Sequence, residues 1–542
     1  MATNDKYDRQ LRLWGANGQK ALSETTVMLL RATAAGTETL KNLVLPGVGK
    51  IVVVDDAIVS DMDVQSNFFV TMSTTNTTFE PVSRAKIALE LLQELNPDVQ
   101  GSYQHVADLN AVNYAQLFAS HTNLLVIGAD LEPSLADAVA HVCSLSVPFI
   151  HVQSYGLLGL VRLQAPRPLC VFDSKPASST PDLRLVTPFP AFVEYCNSIN
   201  MESADMDDHQ YSHVPYPVIL YKLQHQWRGL HQGALPKTFA EKQEFREQIK
   251  KMARKWDLQV NFHEAYNNAY LAYTEKTIDI NHIEDLLEKL QRHPTTYTST
   301  SQRLLSALIK FLYNRGGHAP LGGTLPDMTA STQSYVRLQQ LYHDQAQKDA
   351  LELKSYLEQD ASGTLPSDEE VSRFCANVFD LDILVLRSCH DEYQVLPPPE
   401  DLVEEWHSLD PYEVPEHTPL LWYVGLRACR LFHIQVGRYP GVTSDWESDV
   451  DLVQEKILQV CCDMQLMERD DWIQETLSTS NTMSNMATEL TRYGNAELHV
   501  IASIVGGVAS QEAVKLITGQ YTPLNNTYVY NGIASVGAVY QF

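Results

Sequence analysis

Hydrophobic and polar positions follow two different rhythms along this chain. Between Thr25 and Asp56, an apolar run (Val27-Met28-Leu29-Leu30) leads through a tight turn into a stretch with Leu40, Leu43 and Val44 at helical spacing. A second apolar run, Ile51-Val52-Val53-Val54, then ends at Asp55. The pattern predicts strand, helix, strand, with Pro46-Gly47 stopping the helix. The same alternation continues. A helix is expected over 83–95, with Ile87, Leu91, Leu92 and Leu95 inward and Asn96-Pro97 as its stop. A strand near Tyr103, a buried strand from Leu124 to Ile127, a helix from Ser134 to Cys143 and a strand from Pro148 to Val152 follow. Ser134 and Asp137 have capping-box-like spacing. Strands alternating with helices predict a parallel, doubly wound sheet of Rossmann-like type.

Around Gln164 the rhythm changes. Pro166, Pro168, Pro176, the polar run Ser178-Ser179-Thr180, Pro181, Pro188 and Pro190 mark a boundary. To about Ser480 the pattern is mainly helical. Thr238-x-x-Glu241 and Ser367-x-x-Glu370 read as capping boxes, and Phe245, Ile249, Met252 and Trp256 repeat at helical spacing. A long polar helix is expected from Tyr335 towards Leu357, after a glycine-rich loop at 316–323. That loop follows no strand and lacks a Gly-Lys-Ser ending, so it is not read as a phosphate loop. From Leu498 to Ile517 an apolar, small-residue helix returns to the first style, and two strands end the chain. The expected organisation is therefore α/β. Residues 1–165 and 486–542 form one Rossmann-like, mostly parallel, doubly wound domain, and a large mainly helical insert over 166–485 interrupts it.

Composition narrows the partners. A net charge of −26 argues against nucleic acid or an anionic membrane as the main one. The charge-free run from Leu498 to Gln511 is shorter than the roughly 20 residues a bilayer needs. The 8 cysteines show no CxxC spacing and no secretory leader is read, so free thiols in a reducing compartment are expected. Cys389-His390-Asp391 is the one tempting trio. Adjacent residues seldom form a working triad, so it is read as structural or incidental.

The chemistry lies in the turn after the first strand. A phosphate-cradling turn has Gly-x-Gly-x-x-Gly, so that bare backbone approaches the phosphates. Here the six positions are Arg31, Ala32, Thr33, Ala34, Ala35 and Gly36. The packing glycine is kept and the two phosphate-side glycines are lost. An acidic residue, Asp55, stands about 20 positions further on, where a dinucleotide site would have it. From pattern alone, Arg9 and Arg12, on one face of a short helix with Tyr7, Leu11 and Trp14 on another, are solvated or in surface ion pairs.

Tyr7-Asp8-Arg9-Gln10-Leu11-Arg12-Leu13-Trp14-Gly15 resembles the opening signature of the activating enzymes for ubiquitin and ubiquitin-like proteins. Lys41 to Gly49, Glu94-Leu95-Asn96-Pro97, Gly507 to Lys515 and Pro523 to Asn526 fit the same family. Arg492-Tyr493-Gly494, Pro326-Asp327-Met328 and the segments Asp182 to Leu185 and Pro188 to Pro190 resemble its neddylation regulatory subunits. The resemblance implies a Rossmann-like pseudo-adenylation domain. The family's second aspartate falls on Ala57 and its arginine on Asn67 or Ser66. A later aspartate falls at Leu131 or the adjacent Asp130, and the ATP-touching lysine is matched by Arg84. These departures imply a chain without its own ATP chemistry, and separately no cysteine here has the surroundings of the family's thioester nucleophile.

What the resemblance implies is a regulatory subunit in a heterodimer. The catalytic partner subunit would bind ATP and Mg, adenylate a ubiquitin-like modifier, carry it as a thioester and pass it to a conjugating enzyme. This chain would bind no cofactor alone, and Arg9 would reach across to the partner's ATP. A cytoplasmic or nuclear setting is expected. The rival readings are an NAD-dependent oxidoreductase, a helical scaffold that uses its sheet for dimerisation, and the regulatory subunit of a different ubiquitin-like activating enzyme.

Overall fold

The computed structural model describes residues 6–71, 82–166, 169–172, 180–203, 205–291, 300–359, 365–389, 392, 417–443, 446–466, 473–475, 477 and 481–542. His390, Asp391, Pro168, Pro176, Ser178 and Ser179 lie outside them.

The opening strands are β1 (Thr26–Leu30), β2 (Lys50–Asp55), β3 (Gln100–His105), β4 (Leu124–Ala129), β5 (Phe149–Tyr155) and β6 (Leu158–Gln164). The C-terminal strands are β7 (Thr527–Asn531) and β8 (Val536–Tyr540). They form one eight-stranded sheet in the order β8-β7-β6-β5-β4-β1-β2-β3. From β3 to β5 every pair is parallel, while β6, β7 and β8 extend the sheet antiparallel. The first part of the chain also carries α1 (Asp8–Glu24), α2 (Ala34–Val44), α3 (Asp61–Ser66), α4 (Arg84–Leu95), α5 (Tyr114–Ala119) and α6 (Pro133–Ser146). Strands β1, β4 and most of β2 are buried on both faces, as their continuous apolar runs require.

The chain divides into two compact units: 1–171 with 384–542, and 172–383. The helical insert expected over 166–485 is therefore split, and its last hundred or so residues belong with the sheet. The reason is apolar surface. Helices α16 (Pro419–Val436), α17 (Trp446–Asp463) and α18 (Thr482–Tyr493) share a core with Tyr155, Leu158, Leu160, Val529, Tyr540 and Phe542 of the antiparallel strands and the C-terminus. A buried Arg162–Glu392 pair at 2.7 Å and the Tyr155 hydroxyl donating to the Leu490 carbonyl at 3.0 Å fasten the same layer. Helical pattern alone does not say what a helix packs against.

The second unit is helical. It holds α7 (Pro190–Ser198), α8 (Asp208–Ser212), α9 (Tyr216–Leu230), α10 (Phe239–Met252), α11 (Val260–Asn267), α12 (Ile280–Gln291), α13 (Thr300–Asn314), α14 (Thr332–Glu358) and α15 (Asp368–Ala376). Both expected capping boxes form, at Thr238/Glu241 and Ser367/Glu370. Helix α10 stops at Met252, however, and Trp256 starts a separate 3-10 turn. Ser134 and Asp137 make no capping box. Pro133 opens α6 after Glu132, and Asp137 pairs with Arg430 instead. Helix α3 is capped by Ser60 and Asp63.

Helix α19 (His499–Thr518) is long and apolar enough to cross a membrane, longer than the charge-free run suggested. In this fold it packs beside α2, with Ala502, Val505, Ala509 and Ala513 in the core of the sheet's α2 face. Gly506 sets the approach. A Cβ there would stand 2.8 Å from the Glu38 Cβ and 3.0 Å from the Thr39 nitrogen, whereas one on Gly507 would meet nothing within 4 Å. We therefore expect Gly506→Leu to cost about 1–3 kcal/mol by forced overpacking, and Gly507→Ala to be neutral or stabilising by up to about 1 kcal/mol. Equilibrium urea unfolding checks both. Equal stabilities for the two variants would contradict the close crossing.

Candidate functional site

Strand β1 sits between β2 and β4, where the chain reverses its direction of growth across the sheet. Ligands of doubly wound sheets bind at this switch point, beyond the carboxyl ends of the strands. Two turns meet here: Arg31–Thr33 after β1 and Asp130–Glu132 after β4. Arg31 has φ +72°, the left-handed conformation a glycine adopts freely. The backbone here thus has a glycine turn's geometry with an arginine side chain on it.

The side chains that replaced the glycines are used internally. Thr33 Oγ1 donates to Asp130 Oδ2 at 2.6 Å, and Arg31 donates to the Asp130 carbonyl at 3.0 Å. The Arg31 guanidinium also lies 3.6 Å from Glu132. Asp130 is thus the acid that faces the site. Leu131, the alternative placement, is a buried apolar residue in the core on the other face of the sheet.

Helix α2 begins at the same place. Its first backbone N–H groups carry the partial positive charge that attracts phosphate in nucleotide sites. Here the Glu497 carboxylate accepts from the Ala35 N–H at 3.0 Å. Glu497 also hydrogen-bonds Asp130, whose other oxygen accepts from the Ser154 N–H at 2.7 Å. Nothing in the sequence pattern pointed to Glu497. It lies 462 positions from Ala35, in the turn before α19, outside every expected motif.

The second wall is an ion-pair network. Asp55, fully buried at the end of β2, accepts from the Ala32 and Ala57 N–H groups at 2.8 and 3.0 Å. Arg84 donates to both Asp55 oxygens at 2.8 and 3.1 Å, and to Asp63 at 2.7 Å. Burial opposes the Arg84 charge, but Asp55 and then Asp63 more than offset it and raise its pKa. Burial likewise works against the Asp63 carboxylate, while Ser60 and Arg84 hold it below the usual range. Asn67, where the family has an arginine, ties the turn instead. Its amide donates to the Ala32 carbonyl at 3.1 Å and its oxygen accepts from Thr37 at 2.9 Å. Ala57 contributes no carboxylate.

These residues do not fit ATP or Mg. The phosphate seat on α2 holds a carboxylate, the one matching cation is committed to Asp55 and Asp63, and Asp130 is committed to Thr33, Ser154 and Glu497. A pyrophosphate of NAD meets the same obstacles. Among the described residues, no group of three His, Cys, Asp or Glu side chains has metal-holding geometry.

Cys143, Cys196, Cys375, Cys389, Cys429 and Cys461 are buried, and Cys462 is exposed. Burial pushes the Cys389 thiol up to about 11 and the Cys375, Cys429 and Cys461 thiols up to about 12. A high thiol pKa marks an inert cysteine.

Arg9 lies apart from the cradle network. It is exposed on the first segment of α1, before Gly15 (φ +71°) turns the chain, and it makes no hydrogen bond or ion pair among the described residues. Arg12 pairs with Asp8 at 2.8 Å. Three separated motif positions anchor this helix. Asn96 donates to the Tyr7 hydroxyl at 3.0 Å and to the Val44 carbonyl at 2.8 Å, and the Tyr7 ring fills the space that a Cβ on Gly47 would need.

The model of the ThiF family matches residues 7–537. A NEDD8-activating enzyme E1 regulatory subunit of Xenopus laevis is 33% identical over 551 residues, covering 99% of this chain and 98% of the relative. The corresponding subunit of Danio rerio is 34% identical over 550 residues, with the same coverage. The regulatory subunit AXR1 of Arabidopsis thaliana is 31% identical, covering 97% of this chain and 94% of its own.

The Glu497–Asp130 contact has a pH signature. Burial and then the Asp130 charge push the Glu497 carboxyl up to about 8, and burial pushes Asp130 up as well. The folded state then keeps a proton that the unfolded chain releases near the ordinary glutamate value. The stability this brings is complete below that value and is lost as pH rises through about 8. Thermal melts of the native chain and Glu497→Gln between pH 5 and 8.5 test it. The native chain should lose about 1–3 kcal/mol more than the variant across that range. Parallel pH profiles would rule out the shared proton.

Proposed function

The chain belongs to the ThiF family, among the regulatory subunits of NEDD8-activating enzyme E1, and from that premise we propose how it divides the work with a catalytic partner subunit. The partner binds ATP and Mg, adenylates the C-terminus of the ubiquitin-like modifier, takes it on a cysteine and passes it to a conjugating enzyme. This chain contributes a folded but self-filled counterpart of the adenylation domain and binds no nucleotide alone. The observation that carries this reading is the Glu497 carboxylate seated on the Ala35 N–H, where phosphate would have to bind. The buried, high-pKa thiols support placing the thioester on the partner. Free thiols also suit a cytoplasmic or nuclear setting.

Arg9 is this chain's contribution to the partner's chemistry. Its guanidinium is exposed and not engaged by a carboxylate among the described residues. The Tyr7–Asn96 contact and the Gly15 bend fix the direction of the helix that carries it. A guanidinium brought to the partner's ATP would neutralise phosphate charge as it develops, and its planar fork has no equal in lysine. The oxidoreductase reading is not favoured, because the Glu497 carboxylate stands where a pyrophosphate would have to bind.

Co-expression with the catalytic partner tests the proposal. Arg9→Ala should slow modifier-dependent pyrophosphate exchange by about tenfold or more, and Arg9→Lys should restore little of it. Both variants should co-elute with the partner as the native chain does. Native exchange rates in Arg9→Ala heterodimers would remove Arg9 from the reaction.

A further inference from the structure

The chain carries 66 acidic against 40 basic residues, yet residues 237–255 hold seven Lys or Arg against three Glu. This local excess is ordered. Lys242, Arg246 and Lys250 follow one another at four-residue intervals on α10, and Arg254 continues the row just past its end. Residues four apart share one face of a helix.

Each cation of the row lies over an aromatic ring. Lys242 is 5.6 Å from the Tyr273 centroid, Arg246 5.9 Å from Tyr266, Lys250 5.5 Å from Trp256 and Arg254 4.1 Å from Tyr211. The rings hold these long side chains in place, so less rotamer freedom is lost when something binds them. Among the described residues no carboxylate pairs with Lys242, Arg246 or Lys250. Asp208 serves the far end, 3.5 Å from Arg254 and 2.7 Å from Lys255. Phe239, three residues before Lys242 and so on the same face, is 85% exposed.

A basic row left unneutralised in so acidic a chain asks for negative charge from elsewhere. Nucleic acid is the poorer candidate. The rings beneath the row already carry cations on the face turned to it, and a net charge of −26 repels a long polyanion. A short acidic segment avoids both problems. We propose that the α10 row is a docking surface for an acidic peptide segment of a partner protein. Its carboxylates meet Lys242, Arg246 and Lys250, and an apolar side chain covers Phe239. This surface is separate from the cradle and does not depend on the role given to Arg9.

The test is fluorescence anisotropy with the full-length chain and a fluorescein-labelled peptide of four Glu-Glu-Leu repeats. The native chain should bind it saturably at low salt, more weakly as ionic strength rises. Replacing Lys242, Arg246 and Lys250 together by Glu should weaken binding by about tenfold or more. The same reversal at exposed Lys20, Lys86 and Lys348 should change it by less than about twofold. Phe239→Ala, which leaves every charge in place, should weaken it by about two- to fivefold, and it keeps the proposal testable if the triple variant fails to fold. Absence of saturable binding, salt-independent binding, equal losses in the two reversals, native affinity in Phe239→Ala, or tighter binding of a single-stranded 12-mer oligonucleotide would each overturn it.

Discussion

One carboxyl group, that of Glu497, closes the turn at the start of α2. The start of α2 exposes N–H groups that need an acceptor. In a nucleotide-binding relative of this fold, phosphate can supply it. Here Glu497 supplies it, and Asp130 stands behind Glu497, so two part-buried acids lie together and the Asp130 charge raises the cost of ionising Glu497. The rest of the cradle is consistent with that substitution. Arg84 has turned onto Asp55 and Asp63, Thr33 onto Asp130 and Asn67 onto the turn. Arg84, Thr33, Asn67, Asp130 and Glu497 each have a partner within the protein, as polar groups shielded from water require.

The scaffold around the site explains why the fold is retained. The alternating buried strands and the close α2–α19 crossing at Gly506 are packing features, and none needs nucleotide. At Arg31, φ +72°, the backbone follows the path of a glycine turn while the side chain closes it.

Much of this was legible in the sequence. Continuous apolar runs gave β1, β2 and β4, and the arginine and threonine at positions 31 and 33 pointed to a turn occupied by its own side chains. The capping boxes at Thr238 and Ser367 needed only a four-residue window. Long-range partners were not legible. Glu497 reads as an ordinary surface acid until the fold brings it across 462 positions to α2. Asp137 had capping spacing but went to Arg430, because Pro133 and Glu132 had already set the start of α6. The border of the helical insert was misplaced for the same reason. Helical periodicity identifies α16 to α18, while their attachment to the antiparallel strands depends on surfaces far apart in the chain.

The central claim is that the protein's own carboxyl occupies the phosphate seat. Isothermal titration of the purified chain with ATP and Mg, beside a Glu497→Ala variant titrated with inorganic pyrophosphate, addresses it most directly. The native chain should show no saturable uptake of ATP, and a weak but measurable pyrophosphate site should appear once the carboxyl is gone. Stoichiometric ATP binding by the native chain would contradict it.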